Sequence, residues 1–400
     1  MKYKPLYKLF FITNDSGKEE YESRFNSSEA IHLNLDITKN SAFVLINNET
    51  TKLIESIHKL NYKITNDIYL GALPEIMKDW IVRSSLIEEI CMTNDIEGVV
   101  STRKEINDLL EVDNPSKYVR FYGLVNKYRS ILDTNTFEPI LNAESLRKVY
   151  DKILIQDIKN SNTNNIPDGK IFRKDQVEIH SGTKVIHKGI YPEAKIVEAI
   201  NIALDFLNNE EYPELIRIAV FHYLIGYIHP FYDGNGRISR YISSYYLSEC
   251  LNPLVALQLS VSCKLEQKKY YELFKTTNDI RNKGDLTYFV IGFLEIYVSG
   301  LKEFRFSIAE KQQQFDDCSK KIIEQREQLN LDDISMSILY VLLSCFIFKT
   351  DEANIKFISK AVQKAEKTVR SKLKILKEYN LVESTKNGKV TVYNLNESIT

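Results

Sequence analysis

The chain has 400 residues, 44% of them apolar and 27% charged, the make-up of a folded globular protein of about two or three domains. This excludes a disordered polymer, and only 14 Gly and 9 Pro exclude a collagen-like repeat. The 53 basic and 54 acidic residues leave a formal charge of −1, so no global field steers the molecule to nucleic acid or membrane, and any such role must come from a local patch.

Residues 1–50 carry two short strand-like runs, Leu6–Ile12 and Ala42–Ile46, and no chemistry is assigned there. The start of the chain has no apolar run with a small-residue cleavage site, and no stretch approaches the ~18–20 apolar residues of a membrane helix. Five dispersed cysteines lack C-x-x-C spacing, which argues against a disulfide framework or zinc cage and for thiols in a reducing compartment. A soluble, cytoplasmic protein with no membrane association is expected.

From Leu53 the pattern turns helical, with Ile54, Ile57, Leu60 and Ile64 on one stripe. Ser84–Val99 and Ser101–Leu110 read as two helices parted by Gly98. Residues 116–160 continue the helical pattern and end in Ser161–Asn165. The period then changes. Gln176–His180 alternates, Ser181-Gly182 signals a turn, and Lys184–His187 follows, which predicts a β-hairpin. His180 and His187 flank that turn as edge residues. Residues 193–207, 213–228 and 237–251 are helical again, with His222 in a structural position. The charged, Gln-rich stretch 301–330 shows little apolar periodicity over its second half, and a domain boundary is placed there, as a linker or connecting helix.

The chemistry gathers in His229-Pro230-Phe231-Tyr232-Asp233-Gly234-Asn235-Gly236-Arg237-Ile238-Ser239-Arg240. This is a loop feeding a helix N-terminus. Gly234, Asn235 and Gly236 leave N–H groups open to cradle a phosphate. Arg237 and Arg240, three apart, share a helix face and can grip further phosphates. Asp233 is a hard oxygen ligand suited to Mg²⁺, and His229 is a base near neutral pH. Together these are the parts for attack on a nucleoside triphosphate.

The segment resembles, at every fixed position, the signature of the Fic family, His-Pro-Phe-x-(Asp/Glu)-Gly-Asn-Gly-Arg-x-x-Arg. The resemblance covers about residues 50–300, with an N-terminal helical region typical of larger bacterial members. It implies a mainly α fold, a Fic-type helical bundle with a β-hairpin flap. It also implies transfer of AMP from ATP, with Mg²⁺, to a Ser, Thr or Tyr hydroxyl of a target protein or of the chain itself. By that resemblance His229 takes the hydroxyl proton and Asp233 holds Mg²⁺ between the α- and β-phosphates. Gly234, Asn235 and Gly236 form the anion hole, Arg237 contacts the β-phosphate and Arg240 the γ-phosphate, while Phe231 points into the core.

Upstream, Thr93-Asn94-Asp95-Ile96-Glu97-Gly98 resembles the Fic inhibitory motif, which implies that Glu97 pairs with Arg240 and withholds it from the γ-phosphate. The hairpin matches the family's flap, which clamps the target by strand addition, with Val177, Ile179 and Val185 as contacts. Tyr271 is either an adenine contact or a core aromatic.

Beyond the boundary the chain becomes basic, with ten Lys/Arg and five Asp/Glu in residues 351–395. Helix-length runs at Ile334–Phe348, Ile355–Val362 and Glu366–Tyr379 precede two strand-like segments around an Asn387-Gly388 turn. These resemble a winged helix-turn-helix. Lys367, Arg370, Lys374 and Lys377 on one face either meet DNA or leave the module to protein contacts and dimer packing. The division expected is 1–110 as N-terminal region with inhibitory helix, 111–300 as catalytic domain, 301–330 as connector and 331–400 as winged helix. The alternatives are a DNA-binding regulator with the Fic domain as sensor, or a Fic enzyme that transfers another phosphate-containing group or removes AMP.

Overall fold

The computed structural model describes residues 2–13, 15, 17–71, 73–133, 137–181, 184–350, 353–387, 390–396 and 399. They are mainly helical, with three two-stranded antiparallel sheets among them. The chain divides into two compact units, Met1–Thr65 with Ser85–Lys302, and Asn66–Ser84 with Glu303–Thr400. Segment 66–84 thus groups with the C-terminal residues, whereas the sequence reading set it in the N-terminal region. Among the described residues no helix is long and apolar enough to cross a membrane.

The first unit opens with α1 (Leu6–Leu9) and α2 (Lys18–Phe25). The strand expected at Leu6–Ile12 is therefore corrected to a helical turn. Pro5 is its N-cap, and only Leu6 of that turn is buried, while Phe10, Phe11 and Ile12 are exposed. The strand at Ala42–Ile46 exists, as β2 (Asn40–Leu45), but its partner β1 (Ala30–Ile37) was not foreseen. Thr38 and Lys39 join them with φ of 50° and 72°, the twist of a type I′ turn built without its usual Gly. Then come α3 (Asn48–Thr65), α4 (Glu75–Ile96), which belongs to this unit from Ser85 on, α5 (Arg103–Leu109), α6 (Tyr122–Ser130), α7 (Ala143–Ile153) and α8 (Ile155–Ser161). The predicted hairpin is β3 (Glu178–Ser181) and β4 (Lys184–Lys188), with a bulge between Ile179 and His180; Gly182 of its turn lies outside the described residues.

Next are α9 (Glu193–Asn208), α10 (Glu214–Ile228), α11 (Asn235–Cys250), α12 (Pro253–Ala256), α13 (Leu259–Leu265), α14 (Gln267–Thr277) and the long α15 (Thr287–Leu329). Helix α10 is buried at Leu215–Ile225 and Ile228, apolar on nearly every side, and forms the centre of this unit. Its central place is what fixes the loop that leaves its C-terminus.

In the second unit, residues 303–329 continue α15, so the stretch read as a boundary is helix to Leu329. Its buried positions include Ile308, Phe315 and Ile322, seven apart, a stripe too narrow to stand out against the surrounding charge. Trp80 stacks on Phe348 at 5.7 Å. Helices α16 (Asp333–Ile347), α17 (Ile355–Ala361) and α18 (Glu366–Glu378) precede β5 (Val382–Asn387) and β6 (Val390–Leu395), which pair antiparallel. Val369, Leu373 and Leu376 face the core of this unit. Asp332 caps α16 through Ser335 and pairs with Lys372 at 2.5 Å, which holds its carboxyl down at about 2. Gly388 and Lys389 lie outside the described residues.

Candidate active site

Helix α10 ends at His229, whose φ of 53° places it in the left-handed region, and Pro230 prevents continuation. The chain then turns through a loop whose side chains are locked. Phe231 is fully buried and stacks on Tyr150 at 3.6 Å between ring centroids, with Phe172 edge-on at 5.4 Å. It faces the core, as the resemblance implies. The Asn235 side chain accepts from the Phe231 N–H at 3.0 Å and donates to the Phe231 carbonyl at 2.8 Å, closing the loop on itself. The Tyr150 hydroxyl donates to the Asp233 carbonyl at 3.0 Å. Gly234, at φ 82°, is the N-cap of α11, so the first N–H groups of that helix point into the loop, where an anion is favoured.

Arg173, which the sequence reading missed, ties this loop to the segment before the hairpin. It is fully buried. Its Nε donates to the His229 carbonyl at 2.8 Å, Nη1 to the Asp175 carbonyl at 2.5 Å and Nη2 to the Ile190 carbonyl at 2.8 Å. Burial lowers its pKa, and the carbonyl dipoles take the place of a carboxylate partner. No motif in the sequence marks it, because its partners are backbone atoms from three separate stretches.

His229 is half-buried, and burial lowers its pKa to about 4. Its Nδ1 lies 3.4 Å from the Gly226 carbonyl, which can only accept, a contact that favours the tautomer with the proton on Nδ1 and the lone pair on Nε2. His222 is buried in α10 between Ser243, at 2.9 Å from Nδ1, and Tyr270, at 2.7 Å from Nε2, and burial holds it at about 3. Its role is structural, as expected. His187 lies 2.6 Å from the Tyr227 carbonyl through Nε2, and this anchors β4 to α10.

Arg237 and Arg240 project from one face of α11 and are 3% and 1% exposed. Arg237 meets Asp233 only at 3.5 Å, and its Nε is buried without a partner. Arg240 is satisfied. Its Nε donates to Thr93 Oγ1 at 2.9 Å, and Nη2 donates to the Thr93 carbonyl at 2.9 Å and to Glu97 Oε1 at 2.8 Å. Burial opposes its charge, but the Glu97 carboxylate outweighs that and the net shift is upward. Glu97 and Arg240, 143 positions apart in sequence, therefore meet, the pairing that the resemblance implies. A Cβ on Gly236 would lie 2.0 Å from Glu97 Oε1, so the carboxylate stands directly against the first turn of α11.

Asp233 offers one partly exposed carboxylate. Among the described residues no group of three or more His, Cys, Asp or Glu could hold a metal ion. A single carboxylate suits Mg²⁺, which keeps water and phosphate oxygens as its other ligands, and the orphaned Arg237 Nε suits a phosphate beside it.

Tyr271 is 48% exposed, and its hydroxyl donates to the Ile96 carbonyl at 2.8 Å, one residue before Glu97. It is thus not a core aromatic. Val177, Ile179 and Val185 are half-buried in or beside the hairpin. Lys367, Arg370, Lys374 and Lys377 are exposed on α18, in the second unit.

Comparison with known proteins places part of the chain in a family. Residues 140–247 match the Fic/DOC family, so the chain carries a Fic/DOC domain that spans Tyr150, Arg173 and the whole loop from His229 to Arg240. It is 26% identical over 250 residues to a protein adenylyltransferase of Caenorhabditis elegans, covering 60% of this chain and 44% of that protein. It is 25% identical over 285 residues to protein adenylyltransferase Fic of Drosophila mojavensis, covering 69% of this chain and 49% of that one. The chain thus spans about half the length of the curated relatives it matches. A Fic family protein from Desulfovibrio desulfuricans shares the fold, with a TM-score of 0.52 at 18% identity, over 88% of this chain and 97% of that one.

Proposed function

We propose that the protein is an adenylyltransferase that moves AMP from ATP to a hydroxyl side chain of a protein target, and that Glu97 holds it in a self-inhibited state. The observation that carries this reading is the position of Glu97. Its carboxylate, an anion, lies against the first turn of α11 and bonds Arg240, where a triphosphate would need both groups.

In this reading the chain's own residues position and deprotonate. Gly234, Asn235 and Gly236 bind the α-phosphate through the α11 N-terminus, Arg237 the β-phosphate and, once free, Arg240 the γ-phosphate. Tyr271 borders the adenine. Asp233 would hold Mg²⁺, which would neutralise charge on the phosphates. The neutral His229 Nε2 takes the proton as the target oxygen bonds the α-phosphorus, and the bond to the β-phosphate oxygen breaks to release pyrophosphate. A pKa of about 4 leaves this base unprotonated at neutral pH. The β3–β4 edge, with Val177, Ile179 and Val185, would hold the target segment bearing a Ser, Thr or Tyr.

The C-terminal helices and hairpin are proposed to be a winged helix that contacts DNA through Lys367, Arg370, Lys374 and Lys377. The catalytic part is assigned to about 111–300, and the protein to the cytoplasm. The test is incubation of the full chain with α-³²P-ATP and Mg²⁺. His229→Ala should lose label incorporation by roughly 10²–10⁴-fold while its ATP-dependent thermal shift persists. Undiminished labelling by this variant would remove the base from the mechanism.

A further inference from the structure

The inhibitory contact depends on where α4 sits along α11, and the residues that set this position lie before Thr93. Glu89 is one helical turn upstream of Thr93 and two upstream of Glu97, so all three share one face of α4 and its end. Glu89 is fully buried. Its carboxylate accepts from the Ser260 N–H, at 2.8 Å and 3.0 Å through its two oxygens, and from the Val261 N–H at 3.3 Å. These are N–H groups of the first turn of α13, whose own N-cap, Gln258, makes no side-chain cap. Glu89 therefore supplies from α4 the cap that α13 lacks in its own sequence. The same carboxylate accepts from the Ser244 hydroxyl at 3.2 Å.

Ser244 is one turn beyond Arg240 on α11. Glu89 meets Ser244, while Thr93 and Glu97 meet Arg240. The pairs run antiparallel, so a slip of α4 by one turn would break both together. Two outer contacts, Asp95 with Lys264 at 2.7 Å and Tyr271 with the Ile96 carbonyl, are partly exposed and contribute less to register.

We propose that Glu89 is the positioning residue of the inhibitory contact: by capping α13 and bonding Ser244 it fixes the register at which Thr93 and Glu97 engage Arg240. This rests on the self-inhibited reading above and names what maintains it. Burial raises the Glu89 pKa to about 7, the mark of a carboxylate kept inside the protein by its hydrogen bonds rather than by a cation.

The experiment uses the full chain with Glu89→Ala and Glu89→Gln, each alone and combined with Glu97→Gly. Label incorporation from α-³²P-ATP and hydrogen exchange of the amides of residues 90–97 are both measured. Each Glu89 variant should raise labelling, roughly tenfold for the alanine and less for the glutamine, and speed exchange over 90–97. In the Glu97→Gly background neither should add anything, because the contact they position is gone. A merely structural role would lower labelling in both backgrounds. If Glu89→Ala does not fold, the glutamine variant decides. Unchanged exchange over 90–97 in the folded variants, or labelling lowered in both backgrounds, overturns the proposal. Failure of Glu97→Gly alone to raise labelling would overturn the inhibitory reading, while the exchange result still decides whether Glu89 holds α4.

Discussion

Arg237 and Arg240 of α11 and the four basic residues of α18 are similar side chains in opposite surroundings. The two arginines of α11 are buried; Arg240 is bonded to residues up to 147 positions away, and Arg237 keeps an Nε with no partner. The α18 residues are exposed and, where paired, use near neighbours: Arg370 meets Glu366 one turn away at 3.1 Å, and Lys374 approaches Glu378 at 4.0 Å. Lys377 donates to Ser384 at 2.7 Å. A buried guanidinium with a free N–H gains strongly from an incoming anion. An exposed ammonium already has water, and contributes to binding chiefly through counterion release. Burial is thus what separates a site from a charged surface here.

The sharpest way to break this contrast is Asp233→Ala. Removal of the carboxylate beside Arg237 should lower labelling by roughly 10²-fold or more and abolish its response to added Mg²⁺. A variant that keeps a normal Mg²⁺ titration would show that the buried loop does not hold the ion.

A smaller effect separates the regions by pH. Burial holds His229 at about 4 and His222 at about 3, below the usual 6.5. Between those values the unfolded chain binds protons that the folded one refuses. Their contribution is therefore full above about pH 6.5 and falls as pH drops toward the folded values, by about 1.4 kcal/mol per pH unit for each. Glu89, raised to about 7 by burial, acts in the opposite sense, so the useful quantity is a difference. The melting temperature of wild type should drop more steeply with acid than that of His222→Gln. Parallel curves would contradict the burial account.

The smallest effect concerns α18. Alanine at Lys367, Arg370, Lys374 and Lys377 together should leave labelling within about twofold and change stability little, since exposed ion pairs contribute about 0–1 kcal/mol. Salt-sensitive duplex binding should disappear with them. No gel shift by the intact protein at low salt would assign the C-terminal helices to protein contacts instead.

The sequence made the loop legible because its spacing is local: His229, the Asp233 carboxylate, the glycines and both arginines fall within twelve residues. The helices α9, α10 and α11 and the β3–β4 hairpin were legible from period alone. What was hidden is held by long-range or backbone contacts. Arg173 bonds only carbonyls, and Glu89 caps a helix 171 positions away. The Leu6–Ile12 run carries β-prone aromatics, but Pro5 starts a helical turn there, and among the described residues no strand pairs with it. The second half of α15 shows a seven-residue stripe diluted by charge.

Glu97 is proposed to restrain the chemistry by binding Arg240. The direct measurement is label incorporation by wild type, Glu97→Gly and Arg240→Ala at saturating ATP and Mg²⁺. Glu97→Gly should raise labelling by roughly tenfold or more, because the guanidinium and the α11 N-terminus become free for the triphosphate. Arg240→Ala should lower it, because the phosphate contact goes with the inhibitory one. Equal labelling by wild type and Glu97→Gly would show that Glu97 does not restrain transfer.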